Sequence, residues 1–154
     1  MLIFLDIDGV MVPAKSWSKP ELLNDGFAAF STKANNVLQS LISEGDTIIL
    51  TTSHKANYTI EEWKAIFKNR GINVENIERL NENVDHLSRC EEIVNWANLN
   101  DIDGDFIILD DDKSLNGLPD YLKTNLILTS PMIGLTDDHY QQAVSLKNQF
   151  LQTA

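Results

Sequence analysis

The chain alternates short apolar runs with stretches of helical periodicity, and three of the apolar runs stop abruptly at a polar tip. Leu2-Ile3-Phe4-Leu5, Thr47-Ile48-Ile49-Leu50 and Phe106-Ile107-Ile108-Leu109 are too short for helices and rich in residues that favour a pleated, buried surface. The pattern predicts strands near residues 2–6, 46–51, 72–75, 105–110 and 125–129. Helices are predicted near 31–44, 60–70, 88–98 and 136–152, with a shorter turn around 114–122. In the third of these helices Ile93, Val94 and Trp96 or Ala97 line one face, and Trp63 and Trp96 read as core residues. Strands alternating with helices imply an α/β domain, a parallel sheet covered by helices. Right-handed crossovers, and ligand binding at the carboxyl ends of such strands, then bring the tips of the first, second and fourth strands together.

Those tips carry the chemistry. The first strand ends in Asp6-Ile7-Asp8-Gly9. Carboxylates at i and i+2 of an extended segment share a side, and glycine lets the backbone turn and approach closely. Asp-x-Asp-Gly is also an ordinary turn sequence, so the rest of the chain decides its meaning. Two carboxylates held together repel unless a cation or proton intervenes, and a hard cation such as Mg²⁺ suits oxygen ligands. The second strand ends in Thr51-Thr52-Ser53-His54-Lys55, which offers hydroxyl donors and a cation where phosphate oxygens need them. The fourth ends in Asp110-Asp111-Asp112-Lys113, three carboxylates in a row. Arg89 stands near the start of a helix between them. Of the histidines, His86 and His139 show no metal-ligand spacing, whereas His54 sits at a strand tip as a candidate ligand or base.

The order of these motifs resembles the haloacid dehalogenase-like (HAD) superfamily. Leu5-Asp6-Ile7-Asp8-Gly9-Val10, the Arg89…Glu92-Ile93…Trp96 segment, Leu109-Asp110-Asp111-Asp112 and the late Gly134-Leu135-Thr136 are most similar to the HAD domain of Swiss-army-knife RNA repair proteins. The resemblance implies a three-layer Rossmann-like fold, a five-stranded and mostly parallel sheet in the order 5-4-1-2-3 with helices on both faces. It also implies a Mg²⁺-dependent phosphomonoesterase that works through an aspartyl phosphate. On that reading Asp6 is nucleophile and Asp8 the general acid and base. Mg²⁺ is held by the Asp6 carboxylate, the Asp8 backbone carbonyl and either Asp110 or Asp111. Thr51, Thr52 and a cation, either Arg89 or Lys55, hold the phosphoryl oxygens. The segment from Met11 to Ser31 is where HAD proteins place a flap or cap; here it is short, so the cap is minimal or absent and the site open to bulky substrates. Trp17, within it, is a candidate for stacking on a substrate base.

Composition narrows the partners. At 154 residues the chain fits a single catalytic domain over 1–154. A formal charge of −11 argues against extensive duplex binding, although Lys55, Arg89 and Lys113 could engage a terminal phosphate locally. One cysteine, no apolar run able to span a bilayer and no secretory leader suggest a cytoplasmic protein. Cys90, alone beside a helical apolar face, reads as a small hydrophobe. The substrate is expected to be a phosphate at an RNA or DNA end, or a nucleotide; a small sugar phosphate is the alternative within the same chemistry. Two rivals differ in class. A receiver-type phosphoacceptor domain would carry its acceptor aspartate at the third strand's end, and the region near residue 75 offers Glu75 and Asn76 instead. A catalytically silent HAD interaction module would lack the equivalent of Asp6 or Asp8, and both are present.

Overall fold

Five short parallel strands carry the molecule, in the order β3-β2-β1-β4-β5. They are β1 (Leu2–Leu5), β2 (Thr47–Leu50), β3 (Asn76–Arg79), β4 (Phe106–Asp110) and β5 (Leu126–Leu128). The computed structural model describes residues 1–14, 19–102 and 105–153. The helices are α1 (Thr32–Leu41), α2 (Ile60–Asn69), α3 (Arg89–Asn100), the short α4 (Asp120–Lys123) and α5 (Asp137–Thr153). Single 3₁₀ turns fill Lys55–Asn57 and Lys113–Gly117. The strand order, the parallel pairing and the helical layers agree with the fold expected from the sequence.

Strand alternation divides the core in two. Ile3, Leu5, Ile48, Leu50, Ile107 and Leu109 face α1, α2 and α5, packing with Leu38, Trp63, Phe67 and Ala143. Phe4, Ile49 and Ile108 point the other way, onto Ile93 and Ala97 of α3 and Leu122 of α4. Trp63 is fully buried, while Trp96 is half-buried and meets Phe4 edge to face at 5.4 Å between ring centres.

The third strand is displaced from its expected place at 72–75. Gly71, at φ +82°, ends α2, and the Ile72 N–H turns back to the Phe67 carbonyl, so the apolar Ile72 closes the helix end. The strand proper is Asn76–Arg79, where only Ile77 is buried. As an edge element it needs one apolar face, and its weak alternation follows from that. It leads into Leu80 rather than an acceptor aspartate, which removes the receiver-type reading.

Among the described residues, the connection from β1 to α1 holds no helix and only isolated bridges, Asp8 with Val12 and Leu22 with Ala28. Lys15 and Trp17 lie outside the described residues. The stretch 21–30 is tied down by Arg70, at the C-terminal end of α2. Its guanidinium donates to Asp25 Oδ2 at 2.6 Å, Phe27 O at 2.9 Å, Ala28 O at 2.8 Å and Ile66 O at 2.7 Å. It also lies over the rings of Phe27 and Phe30, at 5.6 and 4.9 Å. The fork geometry that reaches several carbonyls at once is particular to arginine.

Arg70→Ala strands those acceptors and should cost on the order of 3 kcal/mol. Thermal unfolding should show a midpoint lower by about 6–12 °C, with Arg70→Lys recovering less than half of it. The Arg70 hydrogen bond holds the Asp25 carboxyl down to about 2. Its share of stability is therefore complete above about pH 4 and lost as pH falls through about 2, so Asp25→Asn should converge on wild type there.

Candidate active site

Register alone assembles the centre of the site. Leu5 pairs with both Leu50 and Leu109, so the next residues, Asp6, Thr51 and Asp110, stand side by side across three adjacent strand ends. Each lies two residues beyond Phe4, Ile49 or Ile108, and so on the α3 face of the sheet. Ser88 starts α3 with a capping box, its hydroxyl accepting from Glu91 N at 3.1 Å while Glu91 accepts from Ser88 N at the same distance. The box fixes Arg89 as the first helical residue, aimed at the strand ends.

Arg89 and Asp110 form the central ion pair. The guanidinium donates to Asp110 Oδ2 at 2.7 Å and to Thr51 Oγ1 at 3.3 Å, and lies 3.5 Å from Asp6 Oδ1. Thr51 donates to the same Asp110 oxygen at 3.1 Å. The other oxygen, Oδ1, accepts the backbone N–H groups of Asp111 at 2.8 Å and Asp112 at 3.1 Å. Asp110 is thus wholly buried with both oxygens engaged by protein. Asp111 is half-buried and turned toward the first loop, where a Cβ at Gly9 would come within 2.1 Å of its Oδ2. Gly9 also adopts φ +81°, so a side chain there is excluded twice over.

Asp6, Asp110 and Asp111 present carboxylate oxygens all within 4.8 Å of one another. Burial, then the charge of Asp110, push the Asp6 carboxyl up to about 9 despite the pull of Arg89; Asp111 adds to the rise. Asp111 is itself raised, chiefly by burial. For Arg89, burial opposes the charge, but Asp110 and Asp6 outweigh it and raise the guanidinium further. Three carboxylates facing one guanidinium leave negative charge uncompensated, a donor set that fits a hard divalent cation.

Other expected residues stand elsewhere. The Asp8 carboxylate is largely exposed, outside the acidic cluster, and meets His54 Nε2 at 2.8 Å. Thr52 is fully buried and its hydroxyl accepts from His54 N at 3.3 Å, a turn-forming contact. Lys55 is also buried, and its ammonium pairs with Glu92 Oε2 at 2.9 Å instead of reaching the carboxylates. A cleft of about 440 Å³ opens beside Arg89, with Ser53, Asn57, Asn83 and Asp112 among its walls. Cys90 is half-buried, and burial followed by the charges of Glu91 and Asp112 raises its thiol, which agrees with a non-nucleophilic residue.

Three contacts escaped the sequence reading. Thr129, just past β5, donates to Gly9 O at 2.7 Å and braces the first loop; it ends an apolar run much as Thr51 does. A Cβ at Gly134 would fall 2.6 Å from the Val10 carbonyl, so the late Gly134-Leu135 passes directly against that loop. Glu92 lies one turn from Arg89, a spacing visible in the sequence, and its Oε1 is 3.7 Å from Arg89 Nε.

The family model for the HAD domain in Swiss Army Knife RNA repair proteins matches residues 2–140. The chain belongs to this family. A solved structure assigned to the HAD superfamily hydrolases, subfamily III A, from Legionella pneumophila is 15% identical to this HAD domain, with a TM-score of 0.46. That similarity covers 97% of this chain and 84% of the other. No curated protein matches the sequence. Among the described residues no helix is long and apolar enough to cross a membrane.

The raised Asp6 carboxyl gives a test of the metal assignment. Its contribution to the stability of the metal-free protein is complete below about pH 4 and is lost as pH rises toward about 9, because the folded state holds a proton the unfolded chain has released. Metal-free thermal midpoints should fall across that window, and millimolar Mg²⁺ should flatten the fall. Na⁺ at matched ionic strength should not. In Gly9→Ala, which displaces Asp111, the Mg²⁺ response should disappear.

Proposed function

We propose that this HAD domain is a Mg²⁺-dependent phosphomonoesterase in which Asp6 accepts the phosphoryl group. The observation that carries this reading is the placement of Asp6 at the tip of the central strand, with carboxylate oxygens of Asp110 and Asp111 within 4.8 Å and Arg89 at 3.5 Å. Asp6, Asp111 and the backbone carbonyl of Asp8 would hold the cation, with Asp110 serving mainly to orient Arg89 and Thr51. Bound Mg²⁺ would supply positive charge that keeps Asp6 ionised at neutral pH and offsets the charge of the phosphoryl oxygens.

Asp6 attacks phosphorus, the bond to the leaving oxygen breaks, and Asp8 gives that oxygen a proton. Water then attacks the aspartyl phosphate and returns a proton to Asp8, which releases inorganic phosphate and restores Asp6. Arg89 and Thr51 stabilise the equatorial oxygens through both steps. Arg89 Nε is buried and lies 3.7 Å from Glu92 Oε1, an ion pair that helps hold the guanidinium in place. That the family's domain occurs in RNA repair proteins supports a terminal phosphate of a nucleic acid, or a nucleotide, as the substrate here, and the absence of a helical or sheet cap among the described residues supports access for a long one.

Turnover of an aryl phosphate with and without Mg²⁺ tests the proposal and separates it from a silent interaction module. Asp6→Asn should lose activity, since an amide is a poor nucleophile. Arg89→Ala should lower kcat about 10²–10³-fold, the usual scale for one oxyanion donor. Lys55→Ala, which strips buried Glu92 of its ammonium partner and leaves it Arg89 Nε at 3.7 Å, should lower the thermal midpoint yet hold kcat of the folded protein within about tenfold. Retention of most activity by Asp6→Asn would falsify the assignment.

A further inference from the structure

The Asp8 carboxylate meets the side chain of His54, which is held there from behind. His54 Nε2 lies 2.8 Å from Asp8 Oδ2, although 46 residues separate the two in sequence. The imidazole is itself fixed. It packs edge to face on Phe27 at 5.6 Å between ring centres and 89° between planes, while its backbone N–H is anchored by Thr52 Oγ1. Phe27 is 6% exposed, wedged against Tyr58 and Trp63, and its carbonyl is one of those gripped by Arg70.

We infer that His54 is the positioning residue for the acid–base group, holding Asp8 in the orientation from which it serves the leaving oxygen. The inference rests on the role proposed above for Asp8. The bond is read as Nε2–H donating to Oδ2, a carboxyl oxygen that accepts whether or not Oδ1 carries a proton. Oδ2 is thereby occupied as an acceptor, and Oδ1 is left to carry the proton that moves. In the first step that proton passes from Oδ1 to the leaving oxygen as the phosphorus–oxygen bond breaks; in the second it is replaced from the attacking water. His54 keeps its own proton throughout and touches neither substrate nor metal. Without it, an aspartate this exposed would sample several rotamers, only some of them aimed at the leaving group.

Leaving-group dependence provides the test, because kcat/KM covers the steps through departure of the alcohol. The full chain with Mg²⁺ is assayed against aryl phosphates running from p-nitrophenyl to phenyl phosphate, as wild type, His54→Ala, His54→Gln and Asp8→Asn. Protonation of the leaving oxygen matters most for phenyl phosphate. His54→Ala should therefore lose about 10–100-fold on phenyl phosphate and only a few-fold on p-nitrophenyl phosphate, steepening the plot of log kcat/KM against leaving-group pKa. His54→Gln, whose amide N–H can replace Nε2–H, should restore most of the wild-type slope. If Asp8→Asn steepens the plot and His54→Ala runs parallel to wild type, His54 has no such role and the inference fails alone. If Asp8→Asn leaves the slope unchanged, Asp8 is not the acid, and both readings fall together.

Discussion

Like charge held at close quarters is the constraint around which this domain is arranged. Parallel register sets Asp6 beside Asp110, the next residue adds Asp111, and burial removes the water that would otherwise screen them. Arg89 is the fixed answer to part of that charge. It can be so only because the Ser88 capping box starts α3 at the right residue and Asp110 spends both oxygens holding the guanidinium, Thr51 and two backbone N–H groups. What stays uncompensated is centred on Asp6, whose carboxyl is pushed up to about 9. A site left short of positive charge in this way is adapted to a cation and to a phosphoryl group that arrives with it.

A second line of contacts runs from the edge of the molecule to the same place. Arg70 fixes the segment carrying Phe27, Phe27 supports the ring of His54, and His54 meets Asp8. The two lines differ in physical character. Around Asp110 the restraint is electrostatic and deeply buried, whereas along the Phe27 path it is packing that ends in one exposed hydrogen bond. The first suits residues that must keep their charge and place through a reaction; the second suits a carboxyl group that must gain and lose a proton at the solvent boundary.

The fold was legible because the apolar runs of β1, β2 and β4 had to be buried on both faces, which made those strands stand out without an alignment. Asp6, Thr51 and Asp110 followed as the residues directly after those runs. The edge strand was placed too early, since Ile72 and Val74 imitate a strand while Ile72 closes the end of α2. Burial and pairing, unlike strand ends, leave no local signature. In the sequence only its place before a helix sets Arg89 apart from Lys55; that Lys55 pairs with Glu92 and Arg89 with Asp110 is visible in the structure alone. Likewise Asp110 and Asp111 are chemically identical neighbours until the backbone N–H groups and Arg89 claim the first and Gly9 makes room for the second.

The most direct measurement is chemical identification of the phosphorylated residue. The protein is mixed with excess aryl phosphate and Mg²⁺, quenched during turnover and reduced with borohydride, which converts an aspartyl phosphate to homoserine that peptide mass analysis can locate. The account predicts homoserine at position 6 and nowhere else. Reduction at another aspartate, or an unmodified Asp6 while phosphate is being released, would contradict it.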